Sequence, residues 1–394
     1  MIINNLLQKI IRKGHLIWIK SNGKQIEFGD QTGERIKMRT TNRFSEIKMM
    51  LNPSLHFGES YMNGFLILEE GNIHDLLKLL FKNSNTNVDH WVVKMEMLMR
   101  AVRNKIVPSN YIIRSKRNVA HHYDLSDRLY ELFLDKDRQY SCAYFNSPKD
   151  TLEEAQQNKK ELIAKKLLLE EGQNVLDIGS GWGGMAAYLS KRSNVKVKGV
   201  TLSEEQLAYS KQRKINESLD QVEYKLQDYR SINESYDRIV SVGMFEHVGT
   251  PHYQEFFNKV YGLLNQKGVA LIHTIGRIDK PTTNDKWIEK YIFPGGYIPA
   301  LSEIMQRVER SGLVTTDIHV LKFHYAETLK RWRYNFYDNI TKIKEMYDDT
   351  FCRMWEFYLS SSQASFEEST LVVYQLQISK DKKTVPDTRD YMMT

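Results

Sequence analysis

From residue 174 onward the apolar positions fall in short continuous runs, set apart by longer stretches in which they recur at helical spacing. The runs predict strands at Asn174–Ile178, Lys196–Thr201, Val222–Leu226, Asp237–Val242 and Val269–Thr274. Between them the 3.6-residue period predicts helices at Gly184–Lys191, Glu204–Glu217 and Tyr253–Leu264. Asn174–Ile178 reads as a buried parallel strand, and the regular strand–helix alternation builds a parallel sheet with right-handed crossovers. Two more strands are expected at Val314–Phe323 and Leu371–Ser379, joined by a helical segment from Tyr325 to Phe366. The fold class that follows is α/β, with a Rossmann-like, mostly parallel sheet of seven strands.

The first hundred residues read differently. Short strands are expected at Leu16–Ile19, Gln25–Phe28 and Arg35–Met38, separated by turn residues at Asn22-Gly23 and Asp30 to Gly33. A helix is expected over Gly71–Lys82, with Asn72 as N-cap and Ile73, Leu76, Leu77 and Leu80 on one face. A polar linker at Asn83–Val88 and a Met-rich helix at Trp91–Lys105 follow. The expected organisation is a small N-terminal α/β domain (1–105), a linker or lid segment (106–150) and a catalytic domain (151–394). No internal repeat or low-complexity tract interrupts it.

At 394 residues and 41% hydrophobic content the chain has material for one large or two moderate globular domains. No run approaches the ~20 apolar residues of a membrane-spanning helix. Met1 to Ile11 has mixed polarity and lacks a small-residue cleavage site, so no signal peptide is expected. Two cysteines, Cys142 and Cys352, make no disulfide framework, which suits the cytosol, and no Cys or His spacing suggests a metal site. A net charge of +7 favours anionic surfaces. Basic residues concentrate at Arg114-Ser-Lys-Arg117 and between Lys322 and Lys344, and charge alone leaves lipid and nucleic acid both open.

The chemistry centres on Val175-Leu-Asp-Ile-Gly-Ser-Gly-Trp-Gly-Gly184, a buried strand running into a glycine turn. Glycines at 179, 181 and 183 let a ligand approach the backbone at the carboxyl edge of the sheet. Such a turn also serves dinucleotides, but Trp182 is bulky and Asp177 stands before the glycines. The second strand ends in Thr201, Ser203 and Gln206 rather than a single ribose-binding acid. S-adenosylmethionine, which needs no pyrophosphate cradle, fits better than NAD.

Further motifs then carry a resemblance. His122-Tyr-Asp-Leu125, Tyr140-Ser-Cys-Ala-Tyr144, Thr151-Leu-Glu-Glu-Ala-Gln156, Val175 to Gly184 and Gly199 to Gln206 resemble the cyclopropane-fatty-acid synthase family of class I methyltransferases. So do Ile239 to Gly249, Ile272-His-Thr-Ile-Gly276, Lys290 to Gly296 and Phe351-Cys-Arg-Met-Trp355. The match runs in order from about residue 112 to 379, and the N-terminal unit suits the two-domain phospholipid-acting members. The resemblance implies methylene transfer from S-adenosylmethionine to the cis double bond of an unsaturated phospholipid acyl chain, closing a cyclopropane ring. It implies a bound bicarbonate as general base, at positions matching Cys142, Glu246, His273, Ile275 (through its backbone) and Tyr325. Tyr140 and Ser141 fall to the methionine end of the cofactor beside Gly179 and Gly181. Thr201, Leu202 and Gln206 fall around the ribose, and Asp228, Tyr229 and Arg230 around the adenine. Tyr229 replaces the tryptophan of some relatives, and Ser362 stands where some carry a further cysteine.

Tyr140, Tyr144, Phe145, Tyr291 and Phe293 are candidates to face a carbocation, with core packing the alternative and favoured for Phe145. The segment from Ile106 to Leu134 mixes Arg114, Lys116 and Arg117 with Tyr111, Ile112 and Ile113, a pattern able to lie at a bilayer interface. The expected protein is cytoplasmic and peripheral to the inner membrane face, a homodimer by resemblance, with no nucleic-acid partner. Rival readings are a sister enzyme making methylene- or methyl-branched chains, a small-molecule methyltransferase and a lipid-binding module without turnover.

Overall fold

The computed structural model describes residues 8, 11–84, 126–283 and 285–393. Its described residues cluster into two compact units: one from within 1–107, 282–293 and 329–370, the other from within 108–281, 294–328 and 371–394. The motif at 122–125, the basic segment at 111–117, the helix expected at 91–105 and most of the 83–88 linker lie outside the described residues.

In the first unit, strands β1 (His15–Ile19), β2 (Gln25–Phe28), β3 (Arg35–Thr40) and β4 (Leu66–Glu70) form a sheet of order β2-β1-β3-β4. Three of these match the expected positions; β4, which reads Leu-Ile-Leu-Glu-Glu, was not expected. Asn72 does cap the helix Ile73–Ser84, its side chain accepting from the Asp75 N–H at 3.1 Å. The unit is discontinuous in sequence, unlike the consecutive division expected from the chain. Packing between distant segments accompanies it. A Cβ at Gly58 would stand 2.7 Å from Trp287 and 2.8 Å from Phe357, so that glycine admits two aromatic rings from distant segments. Trp287 and Phe357 themselves meet edge to face at 4.6 Å. The single helical segment expected from Tyr325 to Phe366 is three helices, His324–Asp338, Ile340–Met346 and Asp349–Glu368. The last starts where the Asp348 carboxylate accepts from the Phe351 N–H at 2.7 Å.

In the second unit, strands β5 (Asn174–Ile178), β6 (Lys196–Thr201), β7 (Val222–Leu226), β8 (Tyr236–Val242), β9 (Leu264–Arg277), β10 (Val314–Leu321) and β11 (Leu371–Ser379) order as β10-β11-β9-β8-β5-β6-β7. Strands β9, β8, β5, β6 and β7 run parallel, and β11 pairs antiparallel with both β9 and β10. This is the sheet expected, with the switch in strand order beside β5. One face is packed by Phe245, Tyr253, Phe256 and Phe257, the other by Ile163, Leu167, Leu189 and Val240. The helix Leu152–Leu167 begins in a capping box, Thr151 and Glu154 bonding reciprocally. Among the described residues no helix is long and apolar enough to cross a membrane.

Candidate active site

The chain leaves β5 through Gly179 and Gly181 at positive φ of 81° and 54°. A Cβ at Gly179 would lie 2.8 Å from the Met244 side chain, and one at Gly181 would meet no protein atom within 4 Å. A cleft opens here at the carboxyl ends of the parallel strands, enclosing about 1220 Å³ with its mouth included. All ten residues expected around the cofactor line it: Tyr140, Ser141, Gly179, Gly181, Thr201, Leu202, Gln206, Asp228, Tyr229 and Arg230.

Each wall is braced. The Thr201 hydroxyl meets Gln206 Oε1 at 2.9 Å, and Ser203 caps the next helix by accepting from the Gln206 N–H at 3.2 Å. Arg230 grips Asp228 through a fork of 2.9 and 2.6 Å, so the carboxylate expected at the adenine is already charge-compensated. The segment carrying Tyr140 and Ser141 is held by the helix Leu152–Leu167. Gln156 donates to the Gln139 and Ser141 carbonyls at 3.1 and 2.9 Å, and Lys159 donates to Gln139 Oε1 and Ser141 Oγ at 2.6 and 2.9 Å. Trp182 packs on Tyr130 at 4.9 Å and donates to Asp127 at 3.1 Å, tying the helix Asp127–Phe133 to the glycine turn.

The cleft wall also holds Asp177, 1% exposed, whose Oδ2 has no protein partner, and Ser180, whose hydroxyl has none. Burial pushes the Asp177 carboxyl up to about 7, with Lys159 opposing the shift. Orphaned acceptors beside a glycine turn that leaves room for a ligand fit a cofactor rich in donors, as the ammonium and hydroxyls of S-adenosylmethionine are.

None of the five residues expected to do the chemistry lines that cleft; Cys142, Glu246 and His273 adjoin residues that do, through Ser141, His247 and Gly243. Met244 lines the cleft and Glu246 follows in the 3₁₀ turn Phe245–His247. Glu246 Oε1 accepts from the Ile275 N–H at 2.6 Å, while Oε2 is buried without a partner. The Ile275 N–H thus serves Glu246 and reaches an anion only by sharing that hydrogen. His273 and Ile275 are alternate residues of β9 and share a face. The His273 carbonyl accepts from the N–H of Gly243, a cleft residue, at 2.9 Å. Cys142 follows Ser141, and the next N–H, that of Ala143, donates to Thr328 Oγ1 at 3.0 Å. Tyr325 precedes Thr328 by one turn on the helix His324–Asp338 and is buried. The Lys159 ammonium bears on Asp177, Cys142 and His273 alike, so those three surround one interior charge.

Electrostatically the group is a dry one. Burial pushes the Glu246 carboxyl up to about 7, against the pull of the Ile275 N–H. Burial, helped by Lys159, Lys166 and His319, holds the His273 imidazole neutral, and its Nε2 has no partner. Burial also keeps the Cys142 thiol protonated. Such a thiol is a hydrogen-bonding wall rather than a nucleophile.

A family model described as mycolic acid cyclopropane synthetase matches residues 111–376. The chain belongs to the cyclopropane synthase family. A second model, a domain of unknown function, matches residues 6–90. Cyclopropane-fatty-acyl-phospholipid synthase of Escherichia coli K12 is 36% identical over 84% of this chain and 85% of its own. A probable fatty acid methyltransferase of Pseudomonas putida is 37% identical over 66% of this chain and 68% of its own. The mycolic acid cyclopropane synthase CmaA1, solved with S-adenosylhomocysteine, superposes with a TM-score of 0.64 at 32% identity, covering 67% of this chain and 97% of that one. Like others of the cyclopropane synthase family, the chain is an S-adenosylmethionine-dependent methyltransferase.

Sequence reasoning missed Lys159, which holds Ser141, Gln375, which stands 3.2 Å from His273 Nδ1, and Met244, which lines the cleft. The two buried long side chains, Lys159 and Gln375, lack any motif, but a Lys on the inward face of a helix and a Gln in an apolar strand were visible signals. Of the aromatic candidates, Tyr140 lines the cleft and packs on Tyr130 and Phe133 at 5.5 and 6.0 Å. Tyr144 and Phe145 stack on His324 at 4.6 and 6.4 Å. Tyr291 and Phe293 belong to the first unit, where Tyr291 donates to Glu59 at 2.9 Å and Phe293 packs on Tyr358 at 5.9 Å.

Proposed function

We propose that this enzyme is a cyclopropane-fatty-acyl-phospholipid synthase, transferring a methylene group to the cis double bond of an unsaturated phospholipid acyl chain. The observation that carries the reading is the pair Glu246 and His273, each buried next to residues of the cofactor cleft with one polar atom unpaired. S-adenosylmethionine supplies an electrophilic methyl group when bound in the cleft. Ring closure from that methyl releases a proton, and a dry pocket must take it without admitting water that would trap a cation. Cys142, Glu246, His273, the Ile275 backbone and Tyr325 are the residues that would hold a bicarbonate, a base of suitable strength for that proton. Glu246, with a pKa near 7, exchanges a proton at little cost near neutrality. Neutral His273 offers a hydrogen bond through Nε2 without repelling a cation. Gly179, Gly181, Tyr140 and Ser141 orient the methionine end, and Thr201, Gln206 and Asp228 the nucleoside.

The substrate class and the working surface are part of the same reading: the enzyme adsorbs peripherally to the cytoplasmic membrane face, drawn by its net charge of +7, and works as a homodimer. The E. coli relative named for phospholipid matches along 84% of the chain, beyond the segment shared with the mycolic acid enzymes. A second reading, a same-family enzyme making methylene- or methyl-branched chains, draws support from the Pseudomonas putida relative, named a probable fatty acid methyltransferase. Incubation with unsaturated phospholipid vesicles and S-adenosylmethionine, with and without carbonate removal, followed by gas chromatography and mass spectrometry of the lipids, separates the two. Ring-bearing chains that diminish when carbonate is stripped are expected; methyl-branched chains alone would replace the first reading with the second.

A further inference from the structure

We propose that Gln375, itself oriented by Lys166, is a positioning residue that locks His273 in the tautomer carrying its proton on Nε2. The inference rests on the reading of His273 as part of the reacting group. It starts from an oddity of β11. Val372, Tyr374, Leu376 and Ile378 pack into the apolar core, while Gln375 and Gln377, on the other face, are 0% exposed. A fully buried strand has no water to satisfy such side chains, so each must find protein partners.

Gln375 lies directly opposite His273 in the antiparallel β11–β9 ladder. One end of its amide is 2.8 Å from Lys166 Nζ. An ammonium has hydrogens and no acceptor, so the amide atom facing it is the oxygen. The NH₂ is thereby turned the other way, where it stands 3.2 Å from His273 Nδ1. An amide NH₂ also only donates, so Nδ1 must be the bare nitrogen of the ring. The remaining proton sits on Nε2, the atom that is buried without a protein partner.

Lys166 is held in turn. It is 0% exposed, it reaches His319 Nδ1 at 3.0 Å, and its carbonyl accepts from Gln377 Nε2 at 2.6 Å. Burial lowers its pKa to about 8, with Asp317 opposing, which leaves it charged at neutral pH. The chain His319–Lys166–Gln375–His273 therefore passes a fixed polarity from the end of the helix Leu152–Leu167 to the ring. The outcome is a neutral imidazole that donates toward the reacting group and cannot accept from it. In the other tautomer Nε2 would compete for the very proton the reaction releases.

A purely structural role, anchoring that helix to the sheet, makes different predictions. The experiment is ¹⁵N NMR of histidine-labelled, ligand-free protein together with steady-state kinetics on vesicles of unsaturated phospholipid. In wild type His273 is expected to show a bare Nδ1 and a protonated Nε2. In Gln375→Glu the carboxylate accepts from Nδ1–H, so the two signals should exchange, while the new ion pair with Lys166 preserves the fold. The same variant should lose about tenfold or more in kcat with the KM for S-adenosylmethionine unchanged. Gln375→Leu removes the lock without imposing the opposite one, and a mixture of tautomers is expected. A wild-type proton on Nδ1, a ring that stays unaltered in Gln375→Glu, or a flipped ring with wild-type kcat would each overturn the proposal. Because the NMR measurement needs no substrate, absence of ring product from the wild-type enzyme would remove the functional reading and leave the tautomer result standing.

Discussion

Replacing Glu246 by Gln separates the chemistry of this carboxylate from its structural cost. The amide oxygen can keep the Ile275 N–H that Glu246 Oε1 accepts at 2.6 Å, so the local backbone has a partner in both proteins. The charge is what changes. The carboxyl ionises near 4.5 in the unfolded chain and at about 7 when buried, so the folded state holds its proton longer. Stability is therefore unaffected by this group below about pH 4.5 and falls as pH rises through 7. At 1.36 kcal/mol per pKa unit, the loss between pH 5 and pH 8 is about 2–3 kcal/mol. In Glu246→Gln that slope disappears. A buried unpaired NH₂ in its place costs roughly 1–3 kcal/mol at every pH. The variant should be the less stable protein at pH 5 and close to wild type at pH 8. Denaturant unfolding at the two pH values reads the difference, which cancels any pH-independent effect. Catalysis should move the other way, with kcat falling by about 10²–10³ at pH 8 as the proton-exchanging group is lost. Ring formation at wild-type rate would refute the catalytic role. An unchanged gap in stability between pH 5 and pH 8 would refute the buried, raised carboxyl.

Three further outcomes are expected. Gly181→Val places carbon where no protein atom lies within 4 Å, so isothermal titration should show S-adenosylhomocysteine binding weakened at least about tenfold, at a stability cost of only ~1–2 kcal/mol from its positive φ. Asp177 ionises near 7, so cofactor affinity should decline as pH falls below 7, by up to about tenfold per unit, and Asp177→Asn should abolish that dependence. Burial raises the pKa of both Cys142 and Cys352, so iodoacetamide at pH 8 should label neither in the native protein and both in guanidinium, as counted by mass spectrometry; prompt native labelling at Cys142 would contradict its burial.

The central sheet and the cofactor turn were legible in the chain because their signals are local. Strands β5, β6 and β7 fall at their expected positions, β5 as a buried run apolar but for Asn174 and Asp177, β6 and β7 with apolar residues interleaved with polar ones, signals held within five or six residues. The turn at Gly179 and Gly181 needs positive φ, which nearly restricts it to glycine, so the sequence marks it directly. Of the ten residues expected around the cofactor, eight lie at or just after the ends of β5, β6 and β7, which strand order brings together, while Tyr140 and Ser141 come from the segment before the helix Leu152–Leu167; all ten line one cleft. Other features depended on contacts between distant segments. The first unit takes in 282–293 and 329–370 through contacts between distant segments, among them ring packing against Gly58, which nothing near residue 58 announces. Lys159 and Gln375 look like surface residues by type, and only burial makes them supports.

The amino-acid sequence by itself determined the α/β sheet and the glycine turn, because periodicity and backbone conformation are written over a few neighbouring residues, while the groups expected to do the chemistry were named by family resemblance. Tertiary structure alone decided the protonation of those groups. Glu246 titrates near 7 and His273 stays neutral because folding removes water from around them and sets Lys159 and Lys166 near His273, and no stretch of sequence records the dielectric in which a side chain will finally sit.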